Sequence, residues 1–210
     1  MKGLLVKDFR LLFQRKRSMI IILLCGAVMV SSTSTAFAAG WFMMIGAMFS
    51  VSTISYDEYD NCFPFLMTLP VSRRTYALEK YLFGILCGLA FWTVAVLMCL
   101  MIQLARGEAF LLSEEMVPLL IVFFAPVLII DFTIPISLHF GTERSRTVLL
   151  IFWGAVVALA ILAVRVFPET SEALSAVSGT AALTAAAVAT AAVTALSAVI
   201  SVKIMERKEF

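Results

Sequence analysis

A chain of 210 residues, 62% of them hydrophobic and only 14% charged, has no interior large enough to hide its apolar surface as a soluble domain. Its formal charge of +2 gives no argument for a nucleic-acid partner, and the placement of the charges carries more than their sum. The apolar runs are continuous rather than alternating, which argues against strands and for an all-α membrane protein as the fold class.

Met1 to Arg17 carries Lys2, Lys7, Arg10, Arg15, Lys16 and Arg17, with Leu4, Leu5, Phe9, Leu12 and Phe13 between them at helical spacing. This pattern predicts an N-terminal amphipathic helix over 1–17 lying in the membrane interface, where it also serves as a positive anchor for the first span. The stretch is too charged for a cleavable signal, and a full span follows it. Ser18 to Ser55 then runs 38 residues without a charge. A single helix of that length would measure roughly 57 Å, about twice the hydrocarbon core. Two spans are therefore expected, near 18–35 and 38–55, with a tight turn somewhere in 31–40, where Ser31-Ser32-Thr33-Ser34-Thr35 and Ala38-Ala39-Gly40 cluster.

The longest polar interruption follows, over 56–80. It opens acidic with Asp57, Glu58 and Asp60, passes through Phe63-Pro64-Phe65-Leu66-Met67, and turns basic after Leu69-Pro70 with Arg73, Arg74 and Lys80. A greasy centre between charged flanks suits docking to a cytosolic protein; the alternative is a loop resting in lipid headgroups. Further spans are expected near 81–104, 116–140 (interrupted by Pro126 and Pro135), 147–165 and 180–202. An acidic turn separates the third and fourth, and a basic turn over 141–146 separates the fourth and fifth. Pro168, Glu169 and Glu172 suggest a short external or re-entrant helix between 167 and 179. Small residues at three- and four-residue spacing in the last span permit close helix packing. The whole of 1–210 reads as one transmembrane domain.

Fourteen of the sixteen Lys and Arg residues fall in 1–17, 73–80, 144–146 and 203–208; Arg106 and Arg165 stand alone on the other side. The positive-inside rule places both termini and the 56–80 stretch in the cytoplasm.

Few residues suggest chemistry. Asp131 is the acid deep inside a span and is a candidate intramembrane polar site, although a helix–helix hydrogen-bonding role is favoured, because Pro135 lacks the N–H that would bond the carbonyl of residue 131. His139 is the single histidine and reads as a rim residue. The four cysteines have no C-x-x-C spacing and suggest neither a disulfide framework nor a metal site. With no G-x-x-x-x-G-K-[ST], H-E-x-x-H or G-x-S-x-G, no enzyme is expected in this chain.

Met1-Lys2-Gly3-Leu4-Leu5-Val6-Lys7-Asp8-Phe9, Ile54-Ser55-Tyr56-Asp57-Glu58, Leu69-Pro70-Val71-Ser72-Arg73, Lys80-Tyr81-Leu82 and Phe140-Gly141-Thr142-Glu143-Arg144-Ser145-Arg146, in this order relative to the spans, resemble the small bacterial ABC-2 type permeases, the membrane subunits of ABC exporters. The resemblance implies six transmembrane helices and a homodimer paired with two ABC ATP-binding subunits in the bacterial plasma membrane. ATP and Mg would be held by that partner and no cofactor by this chain. It implies a cytoplasmic coupling helix between spans two and three, with Asp57, Glu58, Phe63, Phe65, Leu66, Met67, Pro70, Arg73 and Arg74 at the ATPase interface. Lys7, Asp8 and Arg10 of the interfacial helix would lie beside it. After Asp57-Glu58 the chain departs from the family, reading Tyr-Asp-Asn-Cys in place of a basic or Gly-Trp stretch. The exported substrate would be a peptide, lipid or drug-like amphiphile. The competing readings are a non-transporting immunity or scaffold protein that binds a cytosolic partner through the same loop, and an intramembrane enzyme using Asp131.

Overall fold

The computed structural model describes residues 1–59, 62–68, 71–107, 112–166 and 179–208, and every described element is an α-helix. Helices α1 (Lys2–Gln14) and α2 (Lys16–Ser32) meet at Arg15, whose φ of −92° and ψ of 40° break the helix. α1 turns Leu4, Asp8 and Leu12 inward, a four-residue repeat on one face, and leaves Lys2 and Arg10 exposed. α2 stops where the hydroxyls of Ser31, Ser32 and Thr33 donate to the carbonyls of Val28 and Met29, with Ser31 to Val28 at 2.7 Å. These side-chain bonds compete with the helical ladder, so the turn expected within 31–40 falls at its front edge, next to Thr33 in extended backbone (φ −128°, ψ 172°).

Helix α3 (Thr35–Tyr59) is the centre of the bundle, packing on α5 (Arg73–Arg106) and on the helical stretch Leu112–Val166. At Gly46 the backbones approach so closely that a Cβ would stand 2.6 Å from the carbonyl oxygen of Cys87, which is why glycine is required there. One turn on, Ser50 donates to the carbonyl of Lys80 at 2.5 Å. Between α3 and α5 lies the short α4 (Cys62–Thr68). Ser72 caps α5 by accepting the N–H of Thr75 at 3.1 Å. At the other end Gly107, in the left-handed region (φ 72°), returns its N–H to the carbonyls of Gln103 and Leu104. Leu112–Val166 is broken at Gly141 (φ 75°, ψ 170°), giving α6 (112–140) and α7 (142–166). The last helix is α8 (Gly179–Arg207).

Four helical stretches are long and apolar enough to cross a membrane: Thr35–Tyr59, Arg73–Arg106, Met116–Leu159 and Gly179–Arg207. The third contains the Gly141 break and takes in the predicted fourth span and most of the fifth. The helix matching the predicted first span, α2, has 17 residues and is shorter than these four. Most of 56–80, expected as a loop, is helical: α3 continues to Tyr59, α4 follows, and the Ser72 cap starts α5 well before Tyr81. The short helix expected between 167 and 179 falls on residues 167–178, which lie outside the described residues.

Polar contacts tie the bundle at three levels. At one end Arg106 donates to the carbonyl of Ser31 at 2.9 Å, and Gln103 donates to the Thr35 hydroxyl at 3.3 Å. Toward the other end Tyr81 shares hydrogen bonds with Ser197 and Ser201 of α8 at 2.6 and 2.7 Å. At the other end α1 is bonded to α3 and α5. The glycine fit gives a direct test: Gly46→Ala should lower the detergent melting temperature, since an overpacked core contact costs about 1–3 kcal/mol. Gly154→Ala, where a Cβ meets nothing within 4 Å, should leave it unchanged or raise it. Equal behaviour of the two variants would refute the close α3–α5 crossing.

Candidate functional site

The end of the bundle where α1, α3, α4 and α5 meet holds a buried ionic cluster. Lys80 is fully buried on α5, and its ammonium is bonded to Asp8 of α1, to the Thr53 hydroxyl at 3.0 Å, and lies 3.2 Å from Asp57 of α3. Lys7 bonds the second oxygen of Asp57 and stands 3.2 Å from Asp8. The Tyr76 hydroxyl donates to Asp57 at 2.9 Å. Glu79, fully buried beside Lys80 at 3.7 Å, has no hydrogen-bond partner on either carboxylate oxygen among the described residues. Burial pulls the Lys7 ammonium down, but its hydrogen bond and charge contact with Asp57, together with Asp8, outweigh that and hold it above the ordinary lysine value.

Asp57, expected on the flank of a docking loop, is thus turned into the bundle, with only 4% of its surface exposed. Asp8 is equally enclosed, while Arg10 stays on the surface. Tyr76 and Lys80 lie four residues apart on α5, on the face that meets α3, and Thr53 lies four before Asp57. The sequence signal for this cluster was a lysine and a glutamate set among Tyr76, Ala77, Tyr81 and Phe83, where unpaired charge is not tolerated.

Glu58 points elsewhere. Its carboxylate accepts the backbone N–H of Thr142 at 2.5 Å and also the Thr142 hydroxyl, so it caps the start of α7 just past the Gly141 break. Next to it Tyr59 donates to Glu143 at 3.2 Å.

Helix α4 divides its residues between two faces. Phe63 and Leu66 are buried in one cluster with Tyr76, Ala77, Ile134 and Met205, and the Phe63 and Tyr76 rings stand 5.3 Å apart. Phe65 is 67% exposed, with Pro64 and Thr68 also outward. Nothing is described of the Met67 side chain, and Pro70 and Asp60 lie outside the described residues. Arg73 donates to the carbonyl of Glu206 at 2.9 Å, and Arg74 pairs with the Glu206 carboxylate. The two arginines expected on the docking flank therefore close the C-terminus of α8, where cations are favoured.

Asp131 sits apart from the ionic cluster, between α6 and α8. Thr194 of α8 donates to one carboxylate oxygen at 2.7 Å, and the other oxygen has no hydrogen-bond partner among the described residues. Ser197 donates to the Asp131 carbonyl, the group left free by Pro135. This arrangement joins two helices and brings no second acid to Asp131.

The ionic cluster predicts a ranking. Lys80→Met leaves buried carboxylates uncompensated and should cost about 3 kcal/mol or more, read as a large loss of melting temperature or of folded yield. Lys7→Met, at a site 31% exposed, should cost far less. Similar losses in the two variants would remove Lys80 from the centre of the assembly.

Among the described residues no group of three or more His, Cys, Asp or Glu is arranged to hold a metal ion. No curated protein and no solved structure matches the chain. A family model described as ABC-2 family transporter protein matches residues 3–206, taking in every helix from α1 to the last turn of α8. A bundle of apolar helices matched over nearly its whole length by that model is a membrane protein, and the chain belongs to the ABC-2 transporter family.

Proposed function

We propose that the chain is the permease subunit of an ATP-driven ABC exporter, working as a homodimer with two copies of a separate ATP-binding subunit that holds ATP and Mg. In this reading the chain crosses the bacterial plasma membrane six times. α2 and α3 are the first pair, α5 the third, α6 and α7 the fourth and fifth on either side of Gly141, and α8 the sixth. Both termini and α4 face the cytoplasm. The observation that carries the proposal is Phe65, a large aromatic left 67% exposed on a short helix whose opposite face is locked into the core.

Such a helix suits transmission. Phe63 and Leu66 fix α4 to α5 and α8 through Tyr76, Ala77 and Met205. Asp57, at the start of the same connection, is held by α1 and α5, and Glu58 holds α7. A push on α4 by nucleotide-driven closure of the ATPases would thus reach several spans together rather than bend one loop. Asp57 acts inside this brace, and Phe65 is the anchor offered to the partner cleft. The substrate pathway would take a peptide, lipid or drug-like amphiphile. The second reading, a non-transporting scaffold, shares the docking helix but needs no coupling; ATP hydrolysis stimulated by substrate separates the two.

Phe65→Ala should weaken co-purification of the ATPase roughly thirtyfold, the loss expected for truncating an aromatic anchor worth about 2 kcal/mol, while leaving the melting temperature intact. Phe63→Ala should instead lower the melting temperature. A Phe65→Ala complex with full stoichiometry and normal coupled hydrolysis would reject α4 as the coupling element. Orientation is tested separately. In a cysteine-less background, Arg106→Cys should react with an impermeant maleimide on intact cells and Arg74→Cys should not; the reverse pattern would invert the proposed topology.

A further inference from the structure

The bundle end that carries Lys80 also carries a groove of about 440 Å³ between α6 and α8. Its apolar part is the buried Leu138 and the half-buried Ile204, and its outer part is the exposed Lys203, Arg207 and His139. Ile200, Lys203, Ile204 and Arg207 recur every three or four residues and so form one face of α8. Lys208 closes the groove from the inner side, donating to the carbonyl of Leu138 at 3.1 Å with its ammonium 5.2 Å from the Phe63 ring centroid. Glu206 is turned away to Arg74, and no carboxylate is among the described residues lining the groove. The α6 C-terminus beside Lys208 contributes a partial negative charge, and three cationic side chains outweigh it.

The same face of α8 continues away from the charges as Leu196, Val199 and Ile200, exposed by 64%, 52% and 44%. A basic mouth joined to an apolar track along a membrane-crossing helix is complementary to an amphiphile with an anionic head. A free phosphate would leave the track unused, and an acidic protein surface would have no reason to extend along it. We propose that this groove binds the phosphate headgroup of an anionic phospholipid of the cytoplasmic leaflet, with the first acyl carbons on Ile200 and Leu196. The site rests on α8 being a span with its C-terminus in the cytoplasm, as in the proposed topology, and on nothing in the ATPase docking.

The test is native mass spectrometry of the detergent-purified full chain titrated with phosphatidylglycerol or phosphatidylcholine. Phosphatidylglycerol should be retained in preference to phosphatidylcholine. The double variant Lys203→Gln, Arg207→Gln should weaken that retention roughly thirtyfold, from two basic side chains near an anionic head. The charge-preserving variant Lys203→Arg, Arg207→Lys should retain it. Excess inorganic phosphate should not displace the lipid. Equal retention of the two lipids, full retention by the Gln variant, or loss in both variants would overturn the proposal. Displacement by inorganic phosphate would replace the lipid with a free anion. A Gln variant that keeps phosphatidylglycerol but loses the ATPase would assign the groove to the protein partner instead. Failure of ATPase pairing with lipid retention unchanged would leave this site standing and sink only the docking helix.

Discussion

Lys80 places an ammonium where no solvent reaches it, and most of the inner end of the molecule follows from the need to compensate that charge. A buried cation is tolerated only with counter-charges and hydrogen bonds at close range. No single helix supplies them. Asp8 comes from α1, Asp57 and Thr53 from α3, and Glu79 from the same turn of α5. Because the compensation is divided in this way, α1 cannot drift in the headgroup layer as an independent amphipathic helix. Detaching it would strip Lys80 of Asp8 and Asp57 of Lys7 in one move. The contact that fixes α1 is thus stronger than its apolar stripe alone would provide. It also dictates that α5 be helical well below Tyr81, since Tyr76 must stand one turn from Lys80 to reach Asp57.

How far the sequence reveals this depends on whether the signal is local. The Ser/Thr run after Val30 ends α2 through bonds three and four residues back, which is why the turn is visible without a structure. The inward side of α1 is readable as a stripe, yet Asp8 is grouped with Lys7 and Arg10 at the partner interface, because its own partner lies 72 residues away. Asp57 fails for the same reason. It stands in an acidic run that looks like a surface flank, and only the crossing of α3 with α1 and α5 turns it inward. On α4 the residues were seen but not their faces: a helical period puts Phe63 and Leu66 on one side and Phe65 on the other. A run read as a single greasy tip conceals that division. Between α6 and α8, Pro135 does announce a free carbonyl at residue 131; that Ser197 takes it could not be read from spacing.

Glycine 141 shows how the fourth and fifth predicted spans become two helices without a loop. Its positive φ turns the chain in one residue, which leaves the first N–H groups of α7 without carbonyl partners. Glu58 answers one of them and adds the Thr142 hydroxyl. The acid next to Asp57 therefore stabilises a distant break instead of projecting into solvent, and the two adjacent carboxylates tie α3 to opposite sides of the bundle.

The polar ties are unevenly distributed along the axis. At the end of Ser31 and Arg106 the described contacts are single hydrogen bonds, one to the exposed Ser31 carbonyl and one to the buried Thr35 hydroxyl. At the opposite end, buried ion pairs join α1 to α5, the Glu58 cap joins α3 to α7, and Arg73 and Arg74 join α5 to the α8 terminus. Next to these, Tyr81, Ser197, Ser201 and Asp131 form bonds that join α5, α6 and α8. Among the described residues the buried charges gather at one end, and separating them costs more than stretching single hydrogen bonds. In the permease reading that end is the one that meets the ATPase. A push on α4 would then move the braced helices together before it parted the ionic cluster.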